Sequence, residues 1–285
     1  MMFPNPEWLD LQYNPFTAIP EAAAILKRWD DWSAKARAET PRELDFRYGP
    51  GAKQTLDWFS AENQNAPVLV FIHGGFWRGS DKFAHSFIAP AFLTKGCDVV
   101  FLNYDLCPTV SMEALVQQIM QGLGVIYRQL PSRGCDPMRM VVAGHSAGGH
   151  LAAMMLTCDW KTVGADLPTA LVTRALSISG LFDLEPFRHA PFLKDALRLD
   201  EQSVRRLSPV RLPAPAGRIL NAVVGGVESD EFHRQTEVLV KAWGQSIVPI
   251  ATSIAGKNHF TILEDLISTG TPLHDMACCL LGIDH

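Results

Sequence analysis

The chain has 285 residues, 47% hydrophobic and 19% charged, enough for one large core and short for two full domains. Its 25 basic and 30 acidic residues leave a net charge of −5 without a run of lysine or arginine, so nucleic acid and anionic membranes are not expected partners. No window approaches the roughly eighteen apolar residues that span a bilayer, and the first residues lack a basic stretch followed by an apolar one, so a cytoplasmic location is expected.

In chain order, a proline-initiated helix is predicted over residues 20–39, with Ala23, Ile25, Leu26, Trp29, Trp32 and Ala36 as its apolar face. Residues 44–48 and 55–59 read as short β segments around the turn at Gly49, Pro50 and Gly51. From residue 68 onward apolar, β-branched runs at 68–72, 99–102, 140–143, 176–179, 219–224 and 247–254 alternate with helical stretches. Those stretches are 112–129, 147–157, 230–243 and a pair from 260 onward. Strands that are apolar throughout suit a mostly parallel sheet covered by helices on both faces, hence an α/β architecture in a single domain, 1–285. The proline-rich stretch 181–216 interrupts the alternation. Together with the N-terminal helical segment 1–40 it is expected to form a small cap over the C-terminal strand ends, where open α/β sheets bind ligands.

Chemistry concentrates at Gly144, His145, Ser146, Ala147 and Gly148, a G-x-S-x-G sequence between an apolar strand and an alanine-rich helix. In a nucleophile elbow the serine is forced into a strained turn, and the flanking glycines let strand and helix approach. A serine hydroxyl needs a base, and the base needs a carboxylate to hold its tautomer. In the order serine, acid, histidine, the base is His259 in the loop after the last strand, and the favoured acid is Glu228 after the strand at 219–224. Asp230 and Glu231 read as first-turn residues of the next helix, and Asp183 is an outside candidate for the acid. Oxyanion donors are expected from Ala147 and from Gly74, Gly75 and Phe76 in the His73-Gly-Gly-Phe-Trp77 loop. Trp77, His145, Phe182 and Phe187 are candidate pocket residues.

The six cysteines lie mostly in apolar surroundings without C-x-x-C spacing, which reads as free thiols. His145 and His150 are five residues apart and no H-E-x-x-H pattern occurs, so neither a metal nor another cofactor is expected.

Five stretches then carry a resemblance: His-Gly-Gly-Phe-Trp at 73–77, Asn-Tyr-Asp-Leu-Cys-Pro at 103–108, Gly-His-Ser-Ala-Gly-Gly-His-Leu at 144–151, Ser-Gly-Leu-Phe-Asp-Leu at 179–184 and Glu-Ser-Asp-Glu-Phe-His-Arg-Gln at 228–235. The chain resembles the kynurenine formamidase (arylformamidase) family of α/β-hydrolases, related to the hormone-sensitive-lipase-like esterases. The resemblance covers nearly the whole chain and implies an α/β-hydrolase fold and cleavage of N-formylkynurenine through Ser146, an acid at 228 and His259. It departs from the family at 228, where Asp is usual and this chain has Glu. An amino-acid headgroup would call for a carboxylate partner, with Arg78, Arg188 and Arg234 as candidates. A short-chain carboxylesterase with the same triad is the alternative, and a noncatalytic binding protein on a hydrolase scaffold is the third reading. Each takes a small molecule, an amide or ester in the first two, and oligomeric state is left open.

Overall fold

A computed structural model describes residues 5–283. Eight strands form one sheet: β1 (Arg42–Arg47), β2 (Thr55–Phe59), β3 (Ala66–Ile72), β4 (Asp98–Leu102), β5 (Cys135–His145), β6 (Arg174–Ile178), β7 (Ile219–Gly225) and β8 (Ala251–Ile254), in the order β1-β2-β4-β3-β5-β6-β7-β8. The β1–β2 and β2–β4 pairings are antiparallel and the other five are parallel. This is the α/β-hydrolase fold.

Alternation along the central strands divides the core in two. Val68, Val70, Ile72, Met140 and Val142 feed one apolar cluster, while Leu69, Phe71, Val141 and Ala143 feed the other across the sheet. Side chains of a strand point alternately to its two faces, so each run must be apolar throughout when helices cover both. The helices Met112–Gln129 and Asp230–Trp243 have the bounds their periodicity indicates.

Differences from the expected elements have local causes. The last strand begins at Ala251 rather than 247, because Pro249 has no N–H for a ladder. Strand β5 starts five residues early, at Cys135, in a partly exposed polar extension that no apolar run announces. The long N-terminal helix is Ala22–Glu39 and buries Ala22, Ile25, Trp29, Ser33 and Ala36, leaving Ala23 and Trp32 exposed. Two short helices, Pro6–Tyr13 and Pro15–Ala18, precede it within the expected helical segment 1–40, and the turn Lys82–Ile88, which was not expected, runs into the helix Ala89–Leu93.

The N-terminal segment is fastened by buried polar groups. Arg37 of the long helix and the nearly buried Lys82 both reach the fully buried carboxylate of Asp57 on β2, at 2.5 and 2.7 Å. Removing one partner of such a group would leave an uncompensated buried charge. Tyr13 donates its hydroxyl proton to Glu231 at 2.5 Å and accepts from Gln235 Nε2 at 2.9 Å. The Gln235 Oε1 in turn accepts from the Phe182 and Asp183 N–H groups, at 2.7 and 2.8 Å, tying in the start of the 181–216 stretch. That stretch contains only short helical pieces, the longest of them Glu201–Leu207. No helix among the described residues is long and apolar enough to cross a membrane.

Candidate active site

Strand β5 ends at His145, and Ser146 makes the turn into the helix Ala147–Met155 with φ 57° and ψ −117°. For a residue with a side chain this conformation costs about 1–3 kcal/mol. The surrounding structure imposes it: the Ser146 N–H donates to Ile178 O at 2.8 Å. A Cβ on Gly144 would lie 2.1 Å from Gly148 O, and one on Gly148 would lie 2.0 Å from Ile72 O. Both positions therefore require glycine.

The loop after β3 lies against this turn. A Cβ on Gly74 would stand 2.8 Å from His145 O and 3.1 Å from Ser146 Cβ. Three successive residues then have positive φ: Gly75 at 102°, Phe76 at 53° and Trp77 at 56°. Each non-glycine residue in that region carries roughly 1–2 kcal/mol of strain. Compensation comes from the Arg78 and Gly79 N–H groups, which both donate to Gly75 O, and from the Cys107 N–H, which donates to Trp77 O at 2.8 Å. The Ala147 N–H, at the start of its helix, is one of the donors that a helix leaves without an internal acceptor.

Loops after β7 and β8 bring the acid and base candidates together. His259 Nδ1 donates to Glu228 Oε2 at 2.6 Å, with side-chain exposures of 4% and 1%. The other oxygen, Oε1, accepts from Gly225 N at 2.6 Å and from the Ser179 hydroxyl at 2.5 Å. Three donors thus hold one carboxylate, and Nδ1–H donation leaves the His259 Nε2 lone pair free. The two loops are laced by Gly226 N to Ile254 O at 2.8 Å and Val227 N to Lys257 O at 3.1 Å. Asn258 Oδ1 accepts from the Phe260 and Thr261 N–H groups, at 3.0 and 2.9 Å, fixing the turn that presents His259.

The competing carboxylates are engaged elsewhere. Glu231 accepts from Tyr13 and from Arg234 Nε at 2.8 Å, Asp183 faces Arg211 and Arg234, and Asp230 is exposed in the first turn of its helix.

Ser146, His259, Gly74, Gly75, Phe76 and His145 all line one cavity of about 510 Å³. His145 donates its Nε2–H to His259 O at 2.7 Å, and the two rings lie 4.6 Å apart. Burial, reinforced by the neighbouring His259, pushes the His145 pKa well below the usual histidine value, so this ring stays neutral. Three of the expected pocket residues lie elsewhere. Trp77, Phe182 and Phe187 are fully buried core residues outside the cavity lining. Trp77 donates Nε1–H to His150 Nδ1 at 3.2 Å, while His150 Nε2–H donates to Leu207 O at 2.7 Å, so the indole braces the loop from behind. The walls come instead from Phe16, Leu26 and Trp29 of the N-terminal segment, Phe192 of the 181–216 stretch, and Phe260. Phe16, with 56% exposure beside helix-breaking prolines, carries only a weak sequence signal, and Phe192 carries none.

Comparison with known proteins bears on the fold and the family. The family model described as BD-FAE matches residues 56–183. Kynurenine formamidase of Danio rerio is 26% identical, with 96% of each chain covered. That of Drosophila melanogaster is 30% identical, covering 77% of this chain and 75% of its own. Among solved structures, a Silicibacter sp. TM1040 protein provisionally described as a thioesterase is 30% identical, with a TM-score of 0.79 over 93% of this chain and 97% of that one. Fold and relatives together define an α/β-hydrolase, an enzyme. Within that class the chain belongs to the kynurenine formamidase family.

Proposed function

We propose that the protein is an arylformamidase that hydrolyses N-formylkynurenine or a related aryl formamide through Ser146, His259 and Glu228. The observation that carries this reading is the buried Glu228–His259 pair opening onto the same cavity as the strained Ser146. His259 Nε2 takes the hydroxyl proton as Ser146 Oγ bonds to the formyl carbon, and the carbonyl electron pair moves onto oxygen. The N–H groups of Ala147 and of the Gly74, Gly75 and Phe76 loop hold that oxyanion, each donor contributing about 3 kcal/mol. Collapse breaks the C–N bond, and His259 passes its proton to the departing aniline nitrogen. Water, deprotonated by His259, then releases formate and restores Ser146. Glu228 keeps the imidazole in its Nδ1–H tautomer and stabilises the imidazolium. No cofactor enters these steps. The six free thiols support a place in a reducing compartment, the cytoplasm.

A second reading, a short-chain carboxylesterase with the same three residues, draws support from the largely apolar cavity walls. Comparison of kcat/KM for N-formylkynurenine and p-nitrophenyl acetate, with Ser146→Ala as background, separates the two. The formamidase reading expects efficient turnover of the formamide. Turnover of the ester alone would select the esterase.

A further inference from the structure

Two opposite charges line the cavity outside any ion pair among the described residues. Arg78 and Asp30 both line it, and among the described residues neither makes an ion pair or a side-chain hydrogen bond. The other cations weighed for a substrate carboxylate are neutralised: Arg188 meets Glu185 at 2.6 Å, and Arg234 meets Glu231 at 2.8 Å and Asp183 at 3.7 Å.

Their positions follow from the fold. Arg78 directly follows the positive-φ residues Phe76 and Trp77, and its N–H donates to Gly75 O at 3.1 Å, so the loop that carries candidate oxyanion donors also carries this guanidinium. Its Cζ lies 6.0 Å from the centroid of the Phe192 ring. Asp30 follows the buried Trp29 on the long N-terminal helix, whose attachment through Arg37 and Asp57 holds it against the sheet. The same cavity is lined by Phe16, Leu26, Trp29, Phe76, Phe192 and Phe260. A largely aromatic lining with one cation and one anion, neither in an ion pair among the described residues, is complementary to an aryl group carrying a zwitterionic tail. Arginine suits the carboxylate because its planar fork can make two parallel hydrogen bonds.

We propose that Arg78 and Asp30 select substrates bearing an α-amino-acid headgroup, Arg78 binding the carboxylate and Asp30 the ammonium. This rests on the formamidase reading for the substrate's identity, but binding of the headgroup can be measured without formamide turnover. Competitive inhibition of p-nitrophenyl acetate hydrolysis would be compared for kynurenine, for kynuramine, which lacks the carboxylate, and for the des-amino acid, which lacks the ammonium. The wild-type enzyme is expected to bind kynurenine about tenfold or more tighter than either analogue, the scale of one hydrogen bond to a charged group. Arg78→Ala should collapse the kynurenine-to-kynuramine ratio toward one, Arg78→Lys should retain part of it, and Asp30→Asn should collapse the ratio to the des-amino acid. Equal inhibition by all three compounds in the wild type, or ratios unchanged in the variants, would overturn the assignment. Failure of the wild type to cleave N-formylkynurenine, with these ratios intact, would instead remove the formamidase reading and leave headgroup recognition standing.

Discussion

The two sides of the cavity are built by different means. On the sheet side, Ser146, Glu228 and His259 sit on strand ends, and hydrogen bonds or backbone strain fix them: three donors on one carboxylate, and glycines that admit no Cβ. On the roof side, Phe16, Leu26, Trp29 and Phe192 meet the cavity through apolar contact, and Asp30 on the long helix makes no ion pair among the described residues. The difference separates two jobs. Bond breaking needs atoms held to fractions of an ångström, whereas selection needs a surface that can take a different side chain without disturbing the chemistry.

If that division holds, sheet-side changes lower kcat for every substrate and roof-side changes act on KM for some. The largest effect is expected for Ser146→Ala or His259→Ala, about 10⁴-fold or more in kcat on amide and ester alike. Glu228→Gln should approach it, about 10⁴-fold, by permitting the wrong imidazole tautomer. Glu228→Asp tests the longer acid. One methylene shorter, it cannot span to His259 Nδ1, Gly225 N and Ser179 together without loop movement, and a loss on the order of 10²-fold is expected. Gly75→Ala would place a Cβ 2.3 Å from Gly79 O at a φ of 102°, and should cost about 10²–10³-fold in kcat as the donor loop shifts. Rates measured on matched amide and ester substrates check all four.

The sheet side should also be the acid-labile side. Burial lowers the pKa of His73 and His145, that of His85 to about 3 and that of His150 to about 4. The unfolded chain takes up these protons near the ordinary histidine value of about 6.5, while the folded protein resists them. The stability contribution is therefore complete above about pH 6.5 and is lost as pH falls, by up to about 1.4 kcal/mol per pH unit for each site. Urea midpoints between about pH 6 and 5 should fall steeply, and less steeply in His150→Gln; a flat profile would count against the neutral buried imidazoles. The smallest effect belongs to the roof. Phe16→Ala removes a half-exposed ring 5.4 Å from Phe260 and should raise KM roughly 2- to 10-fold, with kcat little changed.

The same division governs what could be read from sequence. Strand and helix order was legible because the central parallel strands carry buried, largely apolar runs and the helix Met112–Gln129 is periodic. The elbow was legible because close approach demands glycine at Gly144 and Gly148. Glu228 stood out from Asp230 and Glu231 by chain order, yet what separates them physically is that Glu231 is occupied by Tyr13, 218 residues away. No local pattern carries that. Aromatic type likewise says nothing about which side a ring faces: Trp77 and Phe187, placed in the pocket by type, pack 5.7 Å apart in the core, while Phe192, from a proline-rich stretch without periodicity, lines the cavity. Roof geometry depends on tertiary contacts between segments distant in sequence, and those leave little local signature.

The most direct test of the central claim is peptide mass mapping after exposure to a fluorophosphonate, which adds covalently to an activated serine with loss of fluoride. One adduct is expected, on Ser146, formed rapidly in the wild type and lost or greatly slowed in His259→Ala. An unmodified Ser146 in active enzyme, or an adduct on another residue that abolishes activity, would contradict it.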